Sequence, residues 1–215
     1  MKHDQYIIWD WNGTLINDTR TCYNILCAIL DKYGKGPTSY DTYLRDFRFP
    51  LIEYYEGLGF DFSVESYDDL ANDYIALYRE RQYTCQLHTG AETILSEISQ
   101  RGHKQFILSA FNQAMLEQAV AFFGLQDCFS AVVGQQDLYA NSKIDLGRQL
   151  IQAHELDPQC GLLIGDTTHD YEVARDIGVD CLLISGGHQA SETLNDCGGT
   201  VLNNIGEVLP WLNGR

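Results

Sequence analysis

The sequence predicts an α/β protein: a doubly wound parallel sheet, a Rossmann-like core, carrying an inserted all-helical cap. Three observations lead there. Short apolar runs of strand length recur along the chain: YIIW, QFILSA, AVVG, GLLIGD and CLLIS. From about Thr89 these runs alternate with amphipathic helix patterns. Between the first run and that alternation lies a long stretch with helical periodicity and no convincing strand. Strands alternating with helices imply a parallel sheet covered on both faces and joined by right-handed crossovers.

The first strand, Tyr6 to Trp9, stops at Asp10, and a turn built on Asn12 and Gly13 follows. Cys22, Ile25, Leu26, Ile29, Leu30 and Tyr33 then fall on one helical face, closed by Gly34 and by Gly36-Pro37. Pro50 suits the first turn of a short helix carrying Ile52 and Tyr55. Ser66 can cap another with Tyr67, Leu70, Tyr74, Leu77 and Tyr78 on one side. Ala91 to Ile98 is helical up to Gly102, and QFILSA is the second strand. Asn112 opens a helix running to Phe123-Gly124, and AVVG is a strand. Ser142 to His154 is a helix, GLLIGD a strand, Val173 to Ile177 helical, CLLIS a strand, and a last strand and helix follow Thr200. The first strand belongs to this sheet. The expected division is therefore a core of residues 1–15 and 87–215 and a helical cap of residues 16–86.

Bulk properties narrow the function. The chain has 215 residues, 45% of them apolar, enough to bury a full core. Fourteen basic against thirty acidic residues give a formal charge of −16. That argues against nucleic acid and against an anionic membrane surface, both of which demand a basic face. An anionic substrate would need a local cation. No apolar run approaches the ~18 residues of a membrane span, and the N-terminus does not read as a signal peptide. The seven cysteines are scattered without a C-x-x-C and read as small buried hydrophobes in a reducing cytoplasm.

In a doubly wound sheet, ligands sit beyond the C-terminal ends of the strands. Those ends read Asp10, Ser109 and Asp166, with Lys143 opening the helix 23 residues before Asp166. Two carboxylates and a hydroxyl at one rim suit a hard divalent ion, and Mg²⁺ takes one or two carboxylates plus substrate phosphate. Alternatives stay open for each residue: a cap or turn role for Ser109, a solvated Lys143, and a first-turn acid facing the helix dipole for Asp170. His169 and His188 are expected at the surface or around the site.

At these positions the chain resembles the haloacid dehalogenase-like phosphohydrolase superfamily, in its helical-cap subclass. DWNGTL is similar to the motif Asp-x-Asp-Gly-Thr-Leu, and ILSA to a strand ending in Ser or Thr. Lys143 stands where the family has its lysine, and GDTTHD is similar to Gly-Asp-x-x-x-Asp. The overall pattern looks most like the phosphoglycolate phosphatase branch. The resemblance implies Asp10 as the nucleophile that forms an aspartyl-phosphate. It implies Mg²⁺ held by Asp10, the backbone carbonyl of Asn12 and Asp166, with Asp170 behind them. Thr14 would fix the turn. Ser109 and backbone N–H groups around Ala110 would grip the phosphoryl oxygens, and Lys143 would neutralise developing charge. The implied partner is a small phosphorylated metabolite.

Asn12 departs from the motif. In the family's phosphatases the second Asp protonates the leaving group and then activates water. An amide does neither, although its backbone carbonyl still ligates a metal. Two other readings therefore stay open: a phospho-ligand or Mg²⁺-binding module with little turnover, and a phosphonatase- or dehalogenase-type hydrolase. Asp18 and His169 are near in sequence, but neither spacing places it at the side chain of residue 12. Substrate choice is expected from the cap segment YLRDFRFPLIEYY, with Arg48 preferred over Arg45 as the residue reaching an anionic group.

Overall fold

The computed structural model describes residues 5–136 and 142–214. β1 (Tyr6–Trp9) leads into β2 (Ile16–Asn17) and four helices: α1 (Thr19–Lys32), α2 (Tyr40–Asp46), α3 (Leu51–Gly57) and α4 (Tyr67–Arg81). The chain returns through β3 (Gln86–Leu87) to α5 (Ala91–Gln100), β4 (Lys104–Asn112), α6 (Gln113–Phe122) and β5 (Ala131–Gln135). There follow α7 (Lys143–Ala153), β6 (Gly161–Gly165), α8 (Thr168–Ile177), β7 (Asp180–Ile184), α9 (Ser191–Asp196), β8 (Thr200–Leu202) and α10 (Val208–Asn213).

Six strands form one sheet in the order β5-β4-β1-β6-β7-β8, every neighbouring pair parallel. The fold is the doubly wound α/β class predicted from the sequence. Alternation along β1 decides which face each side chain joins. Ile7 and Trp9 pack with Ile94, Leu95 and Leu116 of α5 and α6. Tyr6 and Ile8 pack with Leu146, Leu150, Val173 and Ile177 of α7 and α8. The chain leaves β5 at one edge and re-enters beyond β1 as β6, so the strand order reverses between β1 and β6. That crevice is where such sheets bind ligands, and Asp10 and Asp166 follow the two strands that border it.

The helical block has an apolar cluster of its own. The predicted face of α1, Cys22, Ile25, Leu26, Ile29 and Leu30, is buried against Tyr43, Tyr54, Tyr55, Phe60, Leu70 and Tyr78, with Met115 of α6 joining from below. Three local features differ from expectation. α2 lacks a long apolar stripe and starts on a cap, the Ser39 side chain accepting from the Thr42 N–H. The block is not strand-free, because β2 and β3 pair antiparallel, Ile16 opposite Leu87. Two-residue strands are too short to leave a period-2 pattern. Finally, β4 does not stop at Ser109 but runs on to Asn112, its pairing with β5 shifting register after Leu108. No helix among the described residues is long and apolar enough to cross a membrane. All seven cysteines are free.

Candidate active site

The turn after β1 builds the site. The Asp10 N–H donates to Ile164 O at 2.8 Å, carrying the β1–β6 pairing one residue past the strand. The Trp11 carbonyl then accepts from Leu15 and Ile16, both at 3.0 Å, folding the chain back on itself. Gly13 sits at φ 72°, and a Cβ there would collide with the Asp166 carboxylate and the His188 ring. Glycine is required by both the dihedral and the space.

On one side of this turn Asp10, Asp166 and Asp170 gather, each presenting a carboxylate oxygen within 4.8 Å of the others. Lys143, from the first turn of α7, bridges Asp10 Oδ1 at 2.6 Å and Asp170 Oδ1 at 2.5 Å. The other Asp170 oxygen caps α8, accepting from the Thr167 N–H at 3.0 Å and the Thr167 hydroxyl at 2.7 Å. Asp166 accepts from the Thr14 hydroxyl at 3.0 Å and from the His188 N–H at 2.6 Å. Gly187 allows that last approach, since a Cβ there would also strike Asp166.

All four ionisable groups are buried. Burial pushes the Asp10 carboxyl up to about 7; Lys143 pulls it down, while Asp170 and Asp166 push it further up. Burial likewise raises Asp166 to about 6, against the pull of His188. Asp170 is buried too, but Lys143 and Thr167 hold it below the usual carboxylate range. Three carboxylates share one ammonium, so the cluster is short of positive charge. An all-oxygen donor set with that deficit fits a hard dication such as Mg²⁺.

On the other side of Gly13 a fourth carboxylate, Asp18, lies buried among donors. Its Oδ1 accepts from the Gly13 N–H at 2.9 Å, and its Oδ2 from Asn12 Nδ2 at 2.7 Å and the Tyr78 hydroxyl at 2.6 Å. His188 Nε2 stands 3.3 Å from Asp18 Oδ1, close enough for charge attraction but off the line of a hydrogen bond. Its Nδ1 shares a 2.6 Å hydrogen bond with the Tyr43 hydroxyl of α2. Burial pushes Asp18 up, but His188, Tyr78 and Asn12 outweigh it and draw the carboxyl down to about 2. Burial pushes His188 down, but Asp18, Asp166 and Asp10 outweigh it and lift the imidazole to about 9.

The structure brings Asp10, Thr14, Lys143, Asp166 and Asp170 together, as expected. Asn12 joins through its side chain, bonded to Asp18 and, at 2.9 Å, to the Tyr78 hydroxyl. The expectation that Asp18 cannot reach residue 12 is therefore corrected: the turn at Gly13 folds it back. Ser109 and Ala110 lie inside β4, next to β1, and the buried Ser109 hydroxyl accepts from the Phe111 N–H at 3.2 Å. Arg48 is not brought in. It is exposed, its guanidinium donating to the carbonyls of Asp46 at 3.4 Å and Glu53 at 3.2 Å. His188, expected at the surface or around the site, is 6% exposed and belongs to its centre. The Gly186-Gly187 pair before it was the signal, because two glycines allow a backbone to press against a carboxylate. Tyr43 and Tyr78 carried no signal beyond helical spacing.

The cap closes on this rim. Ala190 N–H donates to Leu44 O at 2.9 Å and Gln189 Nε2 to Phe47 O at 2.7 Å, tying α2 and its exit to the loop after β7.

Comparisons with known proteins agree with this fold. The phosphoglycolate phosphatase of Synechococcus elongatus is 26% identical over 192 residues, 88% of each chain. The tyrosine-protein kinase PtkA of Mycobacterium tuberculosis is 22% identical over 207 residues, 95% of this chain and 70% of that protein. Among solved structures, a predicted phosphatase from Clostridium acetobutylicum superposes with a TM-score of 0.81 at 19% identity, covering 99% of both chains. A predicted phosphoglycolate phosphatase from Haemophilus somnus gives 0.79 at 15%, again over 99% of both. The family model described as haloacid dehalogenase-like hydrolase matches residues 7–184, and the chain belongs to that family.

Proposed function

We propose that this protein is a Mg²⁺-dependent phosphatase of small phosphate monoesters that works through a phosphorylated Asp10. The observation that carries the reading is the cluster of three buried carboxylates at the crevice between β1 and β6, bridged by Lys143. Asp10, Asp166 and the carbonyl of Asn12 would hold the ion, which when bound cancels the repulsion between a carboxylate nucleophile and a phosphate dianion.

The chain's own groups do the rest. Lys143 holds Asp10 Oδ1 and aims the carboxylate. Asp10 attacks phosphorus as the bond to the leaving oxygen breaks, and the leaving group departs with the electron pair. Water then attacks phosphorus, the P–O bond to Asp10 breaks, and dihydrogen phosphate leaves with both water hydrogens. The Ser109 hydroxyl and neighbouring N–H groups bind the phosphoryl oxygens, and the docked cap keeps bulk water out. Asn12 takes no part as acid or base, since both its contacts serve Asp18 and Tyr78. The likeness to phosphoglycolate phosphatase supports phosphate esters as substrates.

A second reading, transfer from Asp10 to an acceptor other than water, is favoured by the same Asn12, which cannot activate water. The likeness to a tyrosine-protein kinase supports it. Acetyl phosphate and p-nitrophenyl phosphate with Mg²⁺ or with EDTA, on wild type and Asp10→Asn, test the first reading. Turnover that survives either EDTA or the substitution ends it. A phosphorylated Asp10 that accumulates until an acceptor is added would favour the second.

A further inference from the structure

We infer that the substrate of this site is an aromatic phosphate ester, a phenol-type alcohol esterified to one phosphate and carrying no second anionic group. The inference rests on the phosphatase reading and narrows it. Three independent features of the molecule converge on it.

The first is the aromatic surface the cap lays on the Asp166 side of the site. Phe47 packs on His188 with ring centres 5.4 Å apart. Phe49 stacks on His169 at 4.8 Å and 27°. His188 donates its N–H to Asp166, and His169 lies in the first turn of α8, three residues along the chain. Tyr54 backs Phe47 at 5.3 Å. The roof is therefore made of ring faces and edges, which favour another ring at offset or edge-on contact.

The second is where the cap's positive charges go. Arg45 pairs with Asp46 at 2.9 Å, and Arg48 donates to two backbone carbonyls. Arg20 lies 3.5 Å above the Tyr40 ring, Lys32 pairs with Asp73, and Lys35 pairs with Glu65 at 2.8 Å. Arg79 is exposed in the last turn of α4, and Arg81 is half-buried there. Five of the seven are engaged elsewhere, and Arg79 is exposed. A carboxylate or second phosphate on the substrate would be desolvated against aromatic carbon with none of those five cap cations to pair with, a costly burial.

The third is the missing acid. Asn12 cannot protonate a leaving group, and the neighbouring candidates face elsewhere. His188 turns one nitrogen to Asp18 and the other to Tyr43, and the Tyr78 hydroxyl donates to Asp18. An alkoxide, with a conjugate-acid pKa near that of water at roughly 15.7, leaves poorly without a proton. A phenoxide, at roughly 10 as in tyrosine, leaves with its electron pair and takes a proton from solvent afterwards. The step then balances without a protein acid: the O–P bond to Asp10 forms, the P–O(aryl) bond breaks, and the aryl oxide carries the charge away.

The test is a leaving-group series with Mg²⁺: acetyl phosphate, ring-substituted phenyl phosphates, phenyl phosphate and phosphoglycolate. We expect kcat/KM for phenyl phosphate to exceed that for phosphoglycolate by about 10²-fold or more, the span a general acid otherwise supplies. We also expect a steep rise with leaving-group acidity along the phenyl series. Phe49→Ala should lower kcat/KM for phenyl phosphate more than for acetyl phosphate. Phosphoglycolate turned over as fast as phenyl phosphate, or a flat phenyl series, would overturn the inference with the phosphatase reading intact. Failure of acetyl phosphate as well would overturn both, so the two failures are told apart by that one substrate.

Discussion

Two buried carboxylate clusters flank Gly13, and they answer burial in opposite ways. In one, Asp10, Asp166 and Asp170 share Lys143, and two of the three are pushed up toward neutrality. In the other, Asp18 is surrounded by the Gly13 N–H, Asn12, Tyr78 and His188 and is drawn down to about 2. The first keeps the deficit that a dication would fill under the proposed function. The second is complete already, and that explains Asn12. A carboxylate at position 12 would face Asp18 at hydrogen-bond distance, whereas an amide donates to it. The residue that breaks the family motif satisfies its neighbour.

Substitutions can break this contrast. Asp10→Asn should lower turnover by about 10⁴-fold or to background, as loss of a nucleophile does. Beryllofluoride with Mg²⁺ should protect wild type against thermal unfolding and leave the variant unprotected. Asp18→Ala should destabilise the metal-free protein by about 3 kcal/mol, because it strands buried donors and the His188 charge. Asp166→Asn in the same urea titration should be neutral or stabilising, since it removes repulsion, and it should abolish stabilisation by Mg²⁺. Equal losses in the two variants would erase the distinction between the clusters.

Asn12→Asp sharpens it. The new carboxylate must share a proton with Asp18, which keeps it protonated and able to donate. Alkyl phosphates should gain about 10-fold or more in kcat and aryl phosphates little, with Mg²⁺ affinity nearly unchanged. Unchanged rates on both would show that the missing acid does not limit this protein.

The smallest effect is on pH. Asp10 and Asp166 titrate near 7 and 6 folded against 3.8 in the unfolded chain, so the folded state is the stronger proton binder across that window. Stability in EDTA should therefore fall as pH rises from 4 to 7, with a slope of at most about 1.4 kcal/mol per unit for each group. Saturating Mg²⁺ should flatten that slope. His188, raised from 6.5 to about 9, contributes stability that is full below 6.5 and lost as pH rises through 9. Asp18 contributes above 3.8 and loses its share only as pH falls through 2. Urea unfolding at several pH values, with and without Mg²⁺, measures both windows. A slope between pH 4 and 7 that ignores Mg²⁺ would contradict the assignment.

The legibility of the two clusters differs for the same reason as their chemistry. Asp10, Lys143, Asp166 and Asp170 sit at strand ends and helix starts, and a sheet's winding brings such positions to one rim whatever else the chain does. Asp18, His188, Tyr78 and Tyr43 come from two loops and two helices and meet only because a turn and a docked cap bring them together. No spacing announces that. Arg48 failed for a related reason: the bend before Pro50 was visible, but the carbonyls of Asp46 and Glu53 that capture the guanidinium were not. Ser109 falls within the predicted strand QFILSA, and Phe111 and Asn112 beyond it escape the pattern because irregular pairing hides the strand's end.

The two-residue ribbon of β2 and β3 has a consequence for the chain's architecture. Ile16 and Leu87 are partners across it, so the points where the helical block departs and returns lie side by side. To the sheet, that long excursion is equivalent to a hairpin turn: it leaves and comes back through a single doorway. Closing a loop whose ends already touch adds little entropy cost as the loop grows. The roof is thus joined to the sheet at one doorway, and its length can change there without altering a strand or a crossover of the floor beneath.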